Sequence, residues 1–156
     1  MSTPATVALT KAGIAFTLHA YERDGSGTSY GAEAAAALGI AEALMFKTLL
    51  VQADRETVVA VAPVSGDVDL KAVARAVGAK KAAMADPAAA ERLTGYVVGG
   101  ISPVGQRTRL RTVVDESALS LPTVYVSAGR RGVSLALAPA DLVAVTGAEV
   151  AAISRS

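Results

Sequence analysis

Lys47 sits in the run Met45 to Val51, otherwise apolar apart from Thr48, and is the side chain with most capacity for chemistry. Side chains alternate along a strand, so Lys47 shares a face with Leu49 and Val51, and Phe46, Thr48 and Leu50 take the other. Both faces are largely apolar, so the ammonium must reach solvent, find a partner or lie in a pocket. Burial would disfavour its charged form, and nearby acceptors would restore it. The plain alternative is a strand-end lysine that snorkels to water, and taken alone the strand favours it.

Two glycine-bearing segments stand beside it as candidates. Gly99-Gly100-Ile101-Ser102-Pro103-Val104-Gly105 follows the short apolar run Tyr96 to Val98 and leads into Arg107, Arg109 and Arg111. Adjacent glycines let a backbone approach a ligand and aim N–H groups at an oxygen, which could polarise an ester carbonyl. A tight turn between strands explains the same pattern. Ser127-Ala128-Gly129-Arg130-Arg131-Gly132 is again a strand end with a basic glycine turn, or a plain hairpin connection.

Other chemistry is excluded by residue type. The chain has no Cys, so it has no disulfide, thiolate nucleophile or cysteine metal site. His19 is the only histidine, which rules out metal sites built from several, and its strand setting suits a structural role better than a triad. Gly100 to Val104 lacks the last Gly of a nucleophile elbow. Gln106-Arg107 replaces the Lys and Ser/Thr of a phosphate loop, and Gly25 to Tyr30 fails the dinucleotide pattern at its last glycine. No metal or cofactor is expected.

The elements that must position these residues follow from local signals. Thr3-Pro4 starts a helix that Gly13 ends, and Ile14 to His19 alternates as a strand. Asp24 to Ser29 reads as a loop, followed by an alanine-rich helix from Gly31 to Leu38. Phe46 to Ala53 and Thr57 to Val64, separated by Asp54-Arg55-Glu56, read as a hairpin at a sheet centre. Asp69 caps a helix to Val77, and Asp86-Pro87 starts another ending near Gly95. Strands are expected over Arg111 to Val114, Thr123 to Ser127 and Val133 to Leu137. Pro139 opens a last helix with Asp141 in its first turn. The expected fold class is α+β, one domain over 1–156, with a mixed, partly closed, barrel-like sheet surrounded by helices.

At 156 residues, 52% hydrophobic and 19% charged, the composition is that of a packed globule whose core is Ala, Val and Leu. No signal-peptide start is present, and stretches such as Thr57 to Gly66 are too short to span a bilayer, so a cytoplasmic protein with no membrane partner is expected. The net charge of +1 hides two acid-free stretches, between Glu91 and Asp115 and between Glu116 and Asp141. They hold Arg92, Arg107, Arg109, Arg111, Arg130 and Arg131, which suits a phosphate-bearing partner at one face, or a solvated arginine surface.

Taken together, Phe46 to Val51, Met84-Ala85-Asp86, Thr94-Gly95-Tyr96, Gly99 to Gln106 and Tyr125-Val126-Ser127 resemble the YbaK family of aminoacyl-tRNA deacylases. Phe-Lys-Thr-Leu-Leu with Gly-Gly-Ile-Ser-Pro is similar to its Cys-tRNA(Pro) deacylase branch. The resemblance implies a trans-editing enzyme, visiting prolyl-tRNA synthetase transiently, that removes cysteine from the acceptor end of Cys-tRNA(Pro) and also Cys-tRNA(Cys). It implies attack by the substrate's own thiol, giving a thiolactone and free tRNA.

By the same resemblance Lys47 is the essential lysine, with Thr48 orienting the same group. Gly99, Gly100, Ile101, Ser102 and Pro103 form a loop against the ester, Tyr21 and Tyr30 line the pocket, and Ser127 lies near the amino or thiol group. Ala128 stands where the family commonly has glycine. We add Arg107, Arg109, Arg130 and Arg131 as acceptor-stem phosphate contacts. The competing readings are a non-catalytic module that binds tRNA or synthetase, and a deacylase for Ala- or Ser-tRNA that uses water.

Overall fold

A computed structural model describes residues 1–23 and 29–155. In chain order the elements are α1 (Pro4–Lys11), β1 (Thr17–Ala20), α2 (Tyr30–Leu38), β2 (Phe46–Ala53), β3 (Glu56–Pro63), β4 (Asp67–Val68) and α3 (Leu70–Val77). Then come β5 (Ala82–Met84), α4 (Pro87–Thr94), β6 (Thr112–Asp115), β7 (Val124–Arg130), β8 (Val133–Leu137), α5 (Pro139–Thr146), β9 (Glu149–Ala151) and β10 (Ser154–Arg155). The loop expected over 24–29 lies, except for Ser29, outside the described residues. Among those residues no helix is long and apolar enough to cross a membrane.

A five-stranded sheet runs β5-β2-β3-β6-β9, antiparallel at β5-β2-β3 and parallel at β3-β6-β9. A three-stranded antiparallel sheet runs β1-β8-β7, and β10 pairs with β4. The Met45–Tyr125 bridge joins the two larger sheets where β2 meets β7, so the barrel-like expectation is met by a partly closed arrangement. The hairpin of β2 and β3 does occupy the sheet interior. Strand alternation divides β3 between two cores: Val59 and Val61 enter the larger one, Val58, Ala60 and Ala62 the smaller one under α3. The larger core fills the space between the sheets with Leu50, Val126, Leu135 and Leu142.

The strand expected from Ile14 begins only at Thr17, because Ile14 closes α1 instead. Its N–H donates to Leu9 O over the left-handed Gly13, at φ 70°, and its side chain packs on the larger core. The capping box of Thr3 and Thr6 starts α1, and Thr3 Oγ1 also donates to Ala128 O at 2.6 Å, tying the helix to β7. Asp69 and Asp86 cap α3 and α4 as the sequence predicts. The short strands β4, β5, β9 and β10 lack sequence signals. Ala82-Ala83-Met84 is extended because the free edge of β2 accepts it.

Candidate active site

A cavity of about 280 Å³ opens where the two sheets meet. Its floor is β2 from Phe46 to Leu50, and Tyr21, Tyr30 and Ala34 form one wall. Met84, Ala85, Pro87 and Ala90 form a second wall, Val98, Gly99 and Ile101 a third. Ser127 and Ser134, cross-strand partners on β7 and β8, supply hydroxyls to an otherwise largely apolar lining.

Lys47 is half-buried, and its Nζ donates to Gly66 O at 2.7 Å. An ammonium has three donors, so two remain for a ligand. Gly66 is itself fixed, since a Cβ there would collide with the Arg155 carbonyl and with Ser154 Oγ. The β4–β10 pair thus holds the carbonyl that holds the lysine. Thr48 Oγ1 is the single buried side-chain polar atom without a hydrogen-bond partner among the described residues. Lining the same cavity as Lys47, this hydroxyl is open to a ligand or a water.

The glycine loop divides. Gly99 and Ile101 line the cavity, and the Gly99 N–H bonds to no other described residue. Gly99 adopts φ 89° with Tyr30 directly above it, so a Cβ would lie 2.7 Å from the ring. Gly100 makes its close approach to the backbone of Arg130 and Arg131. Ser102 and Pro103 are buried behind the wall, where Ser102 Oγ accepts the Val104 N–H at 3.2 Å. The loop is pinned by Val98 N–H to Glu91 Oε2 at 2.8 Å, and by the Tyr96 hydroxyl to Val104 O at 2.7 Å. Burial pushes the Tyr96 phenol up to about 12, so it remains a donor. Burial also raises the Tyr21 phenol, with a backbone bond to Gly132 acting the other way.

Tyr30 carries two guanidinium groups, Arg23 at 4.5 Å and Arg131 at 5.1 Å from the ring centroid. Arg23 also pairs with Glu33 at 3.3 Å, and Arg131 Nε donates to Val98 O at 2.8 Å. Of the four arginines expected to meet phosphate, Arg131 therefore stands at the cavity, with Arg130 exposed beside it. Arg107 donates to Arg92 O, and Arg109 lies over Gly147. His19 does not line the cavity. Its Nε2 is 2.8 Å from Thr17 Oγ1 and its ring packs edge-on against Tyr125.

Sequence reasoning missed Ser134, Met84 and Ala85 as lining residues. Ser134 had a usable signal, a polar residue at an inward position of an apolar strand. The other two reach the site only because β5 docks on β2.

The fold and cavity define an aminoacyl-tRNA editing domain, and the chain belongs to that family, whose model matches residues 26–145. Among its relatives is an Enterococcus faecalis protein provisionally described as the Cys-tRNA(Pro)/Cys-tRNA(Cys) deacylase EbsC. That protein is 38% identical over 121 residues, which is 77% of this chain and 74% of the relative. A crystal structure provisionally described as a trans-editing enzyme for prolyl-tRNA synthetase superposes with a TM-score of 0.85 at 28% identity. It covers 100% of this chain and 99% of that one. A hypothetical protein of known structure gives a TM-score of 0.87 at 30% identity, over 98% of this chain and 100% of its own.

Proposed function

We propose that this deacylase removes cysteine from Cys-tRNA(Pro), and from Cys-tRNA(Cys), in trans. Lys47 carries the reading: a lysine with one donor tied to a backbone carbonyl and two left over, on the floor of a small apolar cavity. Such a cavity takes an amino acid the size of cysteine together with its ester. The described walls offer no thiol and no imidazole, and in this reading the cysteinyl side chain of the substrate is the nucleophile. The cysteinyl sulfur attacks the ester carbonyl, the bond from carbonyl carbon to ribose oxygen breaks, and the thiol proton ends on that oxygen. The products are a thiolactone and tRNA with its terminal hydroxyl restored. Folding the aminoacyl group for attack supplies at most roughly 7–11 kcal/mol, without any protein nucleophile.

In this mechanism Lys47 holds the acyl end and offsets developing negative charge, and the Gly99 N–H faces the carbonyl oxygen. Tyr21, Tyr30 and Ser127 shape the aminoacyl pocket. Arg130 and Arg131 meet backbone phosphate at its mouth. A transient complex with prolyl-tRNA synthetase, in the cytoplasm where tRNA is charged, would deliver the mischarged product. A second reading, hydrolysis of Ala- or Ser-tRNA by bound water, draws on the paired Ser127 and Ser134, whose hydroxyls can hold a water.

The test offers Cys-, Ser- and Ala-tRNA to the purified protein and to Lys47→Ala, identifying products by mass. Rapid cleavage of Cys-tRNA alone, with thiolactone detected and at least ~100-fold loss in the variant, is expected. Equal cleavage of all three would establish the water reading. Near-normal turnover by Lys47→Ala would remove the lysine from the mechanism.

A further inference from the structure

A second depression, about 770 Å³, lies between α3 and β5 and has a different chemistry from the catalytic cavity. Lys71 and Arg75, one turn apart on α3, and Lys80 and Lys81, leading into β5, line it. Asp54 is the one carboxylate among the lining residues. Its two oxygens accept the backbone N–H groups of Lys80 and Lys81, each at 3.0 Å, which fixes that segment without using either ammonium group. None of the four cations forms an ion pair among the described residues. The groove is thus strongly positive on a chain whose net charge is only +1.

The groove and the catalytic cavity share no lining residue but adjoin along the chain at β5. Ala82 and Ala83 line the groove, and the next two residues, Met84 and Ala85, line the cavity. From Lys81 to Ala85 an extended chain covers about 13 Å at roughly 3.3 Å per residue. That equals about four stacked nucleotides at roughly 3.4 Å each. By contrast, Arg109 and Arg111 lie toward the β6–β9 edge, and Arg111 is already paired with Glu149 at 2.6 Å.

We propose that the α3–β5 groove binds the RNA phosphate backbone of the substrate tRNA, at the junction of its unpaired 3′ end and acceptor stem. The proposal rests on the reading of the cavity as the aminoacyl site. Phosphate contacts of this kind set register and orientation without reading sequence, which suits an enzyme that must place a 3′ end in a cavity. The competing explanation is that Lys80 and Lys81 merely protect the exposed edge of β5 from pairing with another chain.

The experiment measures binding of uncharged tRNA(Pro) over a salt series, for the wild type, Lys80→Glu/Lys81→Glu, Lys71→Ala/Arg75→Ala and Arg107→Ala/Arg109→Ala. Glutamates still protect an edge strand but repel phosphate. The expected result is a salt slope lower by about 2 in each groove double variant, and a slope near wild type for the last pair. With Cys-tRNA, KM should rise about tenfold or more in the groove variants. Cleavage of a cysteinyl ester of the trinucleotide CCA, too short to reach the groove, should keep its wild-type rate. An unchanged salt slope in both groove variants would overturn the proposal, as would weakened synthetase binding with tRNA binding intact. Failure of the wild type to cleave any aminoacyl ester would instead sink the catalytic reading, and the slopes for uncharged tRNA would still decide the groove.

Discussion

At the residue scale, Lys47 and Thr48 are neighbours with opposite accounts. Lys47 has a defined partner in Gly66 O, and Thr48 Oγ1 has none among the described residues. A buried hydroxyl without a partner costs the fold its desolvation energy. Thr48→Val keeps the shape and removes that cost, so stability should rise by about 1 kcal/mol. The corresponding gain in Tm is roughly 2–4 °C for a chain of this size. If the substrate uses the hydroxyl, deacylation falls by about tenfold or more, the worth of one hydrogen bond. Thermal melts and single-turnover rates on the same preparation test both halves. A variant that is more stable and fully active would return Thr48 to the core.

At the element scale, two turns set local geometry, one at the cavity and one at the α3–β5 groove. Gly99 combines φ 89° with a Tyr30 ring that a Cβ would meet at 2.7 Å. Gly99→Ala should cost about 1–3 kcal/mol in backbone strain and push Tyr30 out of the wall, raising KM for aminoacyl-tRNA. A structure of the variant with Tyr30 unmoved and normal kinetics would refute this. The second turn is at Asp54, itself at φ 53°, where two backbone N–H groups hold the carboxyl below its ordinary value of 3.8. A carboxyl with a lowered value stabilises the fold fully above the ordinary value, and loses that contribution as pH falls through the lowered one. Asp54→Asn tolerates the same backbone but cannot ionise. Its stability deficit against wild type, read from urea midpoints, should be constant near ~pH 7 and shrink below ~pH 3.8. A deficit independent of pH would assign the effect to shape and not charge.

At the scale of the whole molecule, the lysine on the cavity floor is tied through Gly66 to the pairing of β4 with β10. Ser154 and Arg155 pair with Val68 and Asp67, and the Arg155 carbonyl packs where any Gly66 side chain would go. Removing residues 154–156 should leave the two cores intact but loosen the Gly66 carbonyl that orients Lys47. The expected result is a small shift in Tm with kcat reduced several-fold and KM for tRNA little changed. A truncated chain with wild-type kcat would show that Lys47 is oriented without β10. Within the glycine loop, Gly100, Ser102 and Pro103 are buried, and Gly99 and Ile101 line the cavity.

Much of this was legible in the residues. The caps Thr3, Asp69 and Asp86, the prolines at helix starts and the β2–β3 hairpin are local signals, decided by hydrogen bonds and dihedrals within a few residues. The absence of cysteine and the solitary histidine narrowed the chemistry, and Lys47 stood out among apolar neighbours before any fold was known. The tertiary structure decided what depends on distant segments. It chose Ile14 as a helix closure, made a strand of Ala82-Ala83-Met84 and brought Ser134 opposite Ser127. It also separated Arg131, at the cavity, from Arg109, and gathered Lys71, Arg75, Lys80 and Lys81 into one groove. Side-chain type and short spacing fix what a residue can do. Which residues share a cavity depends on strand pairing and sheet packing, long-range contacts that leave no mark on the local sequence.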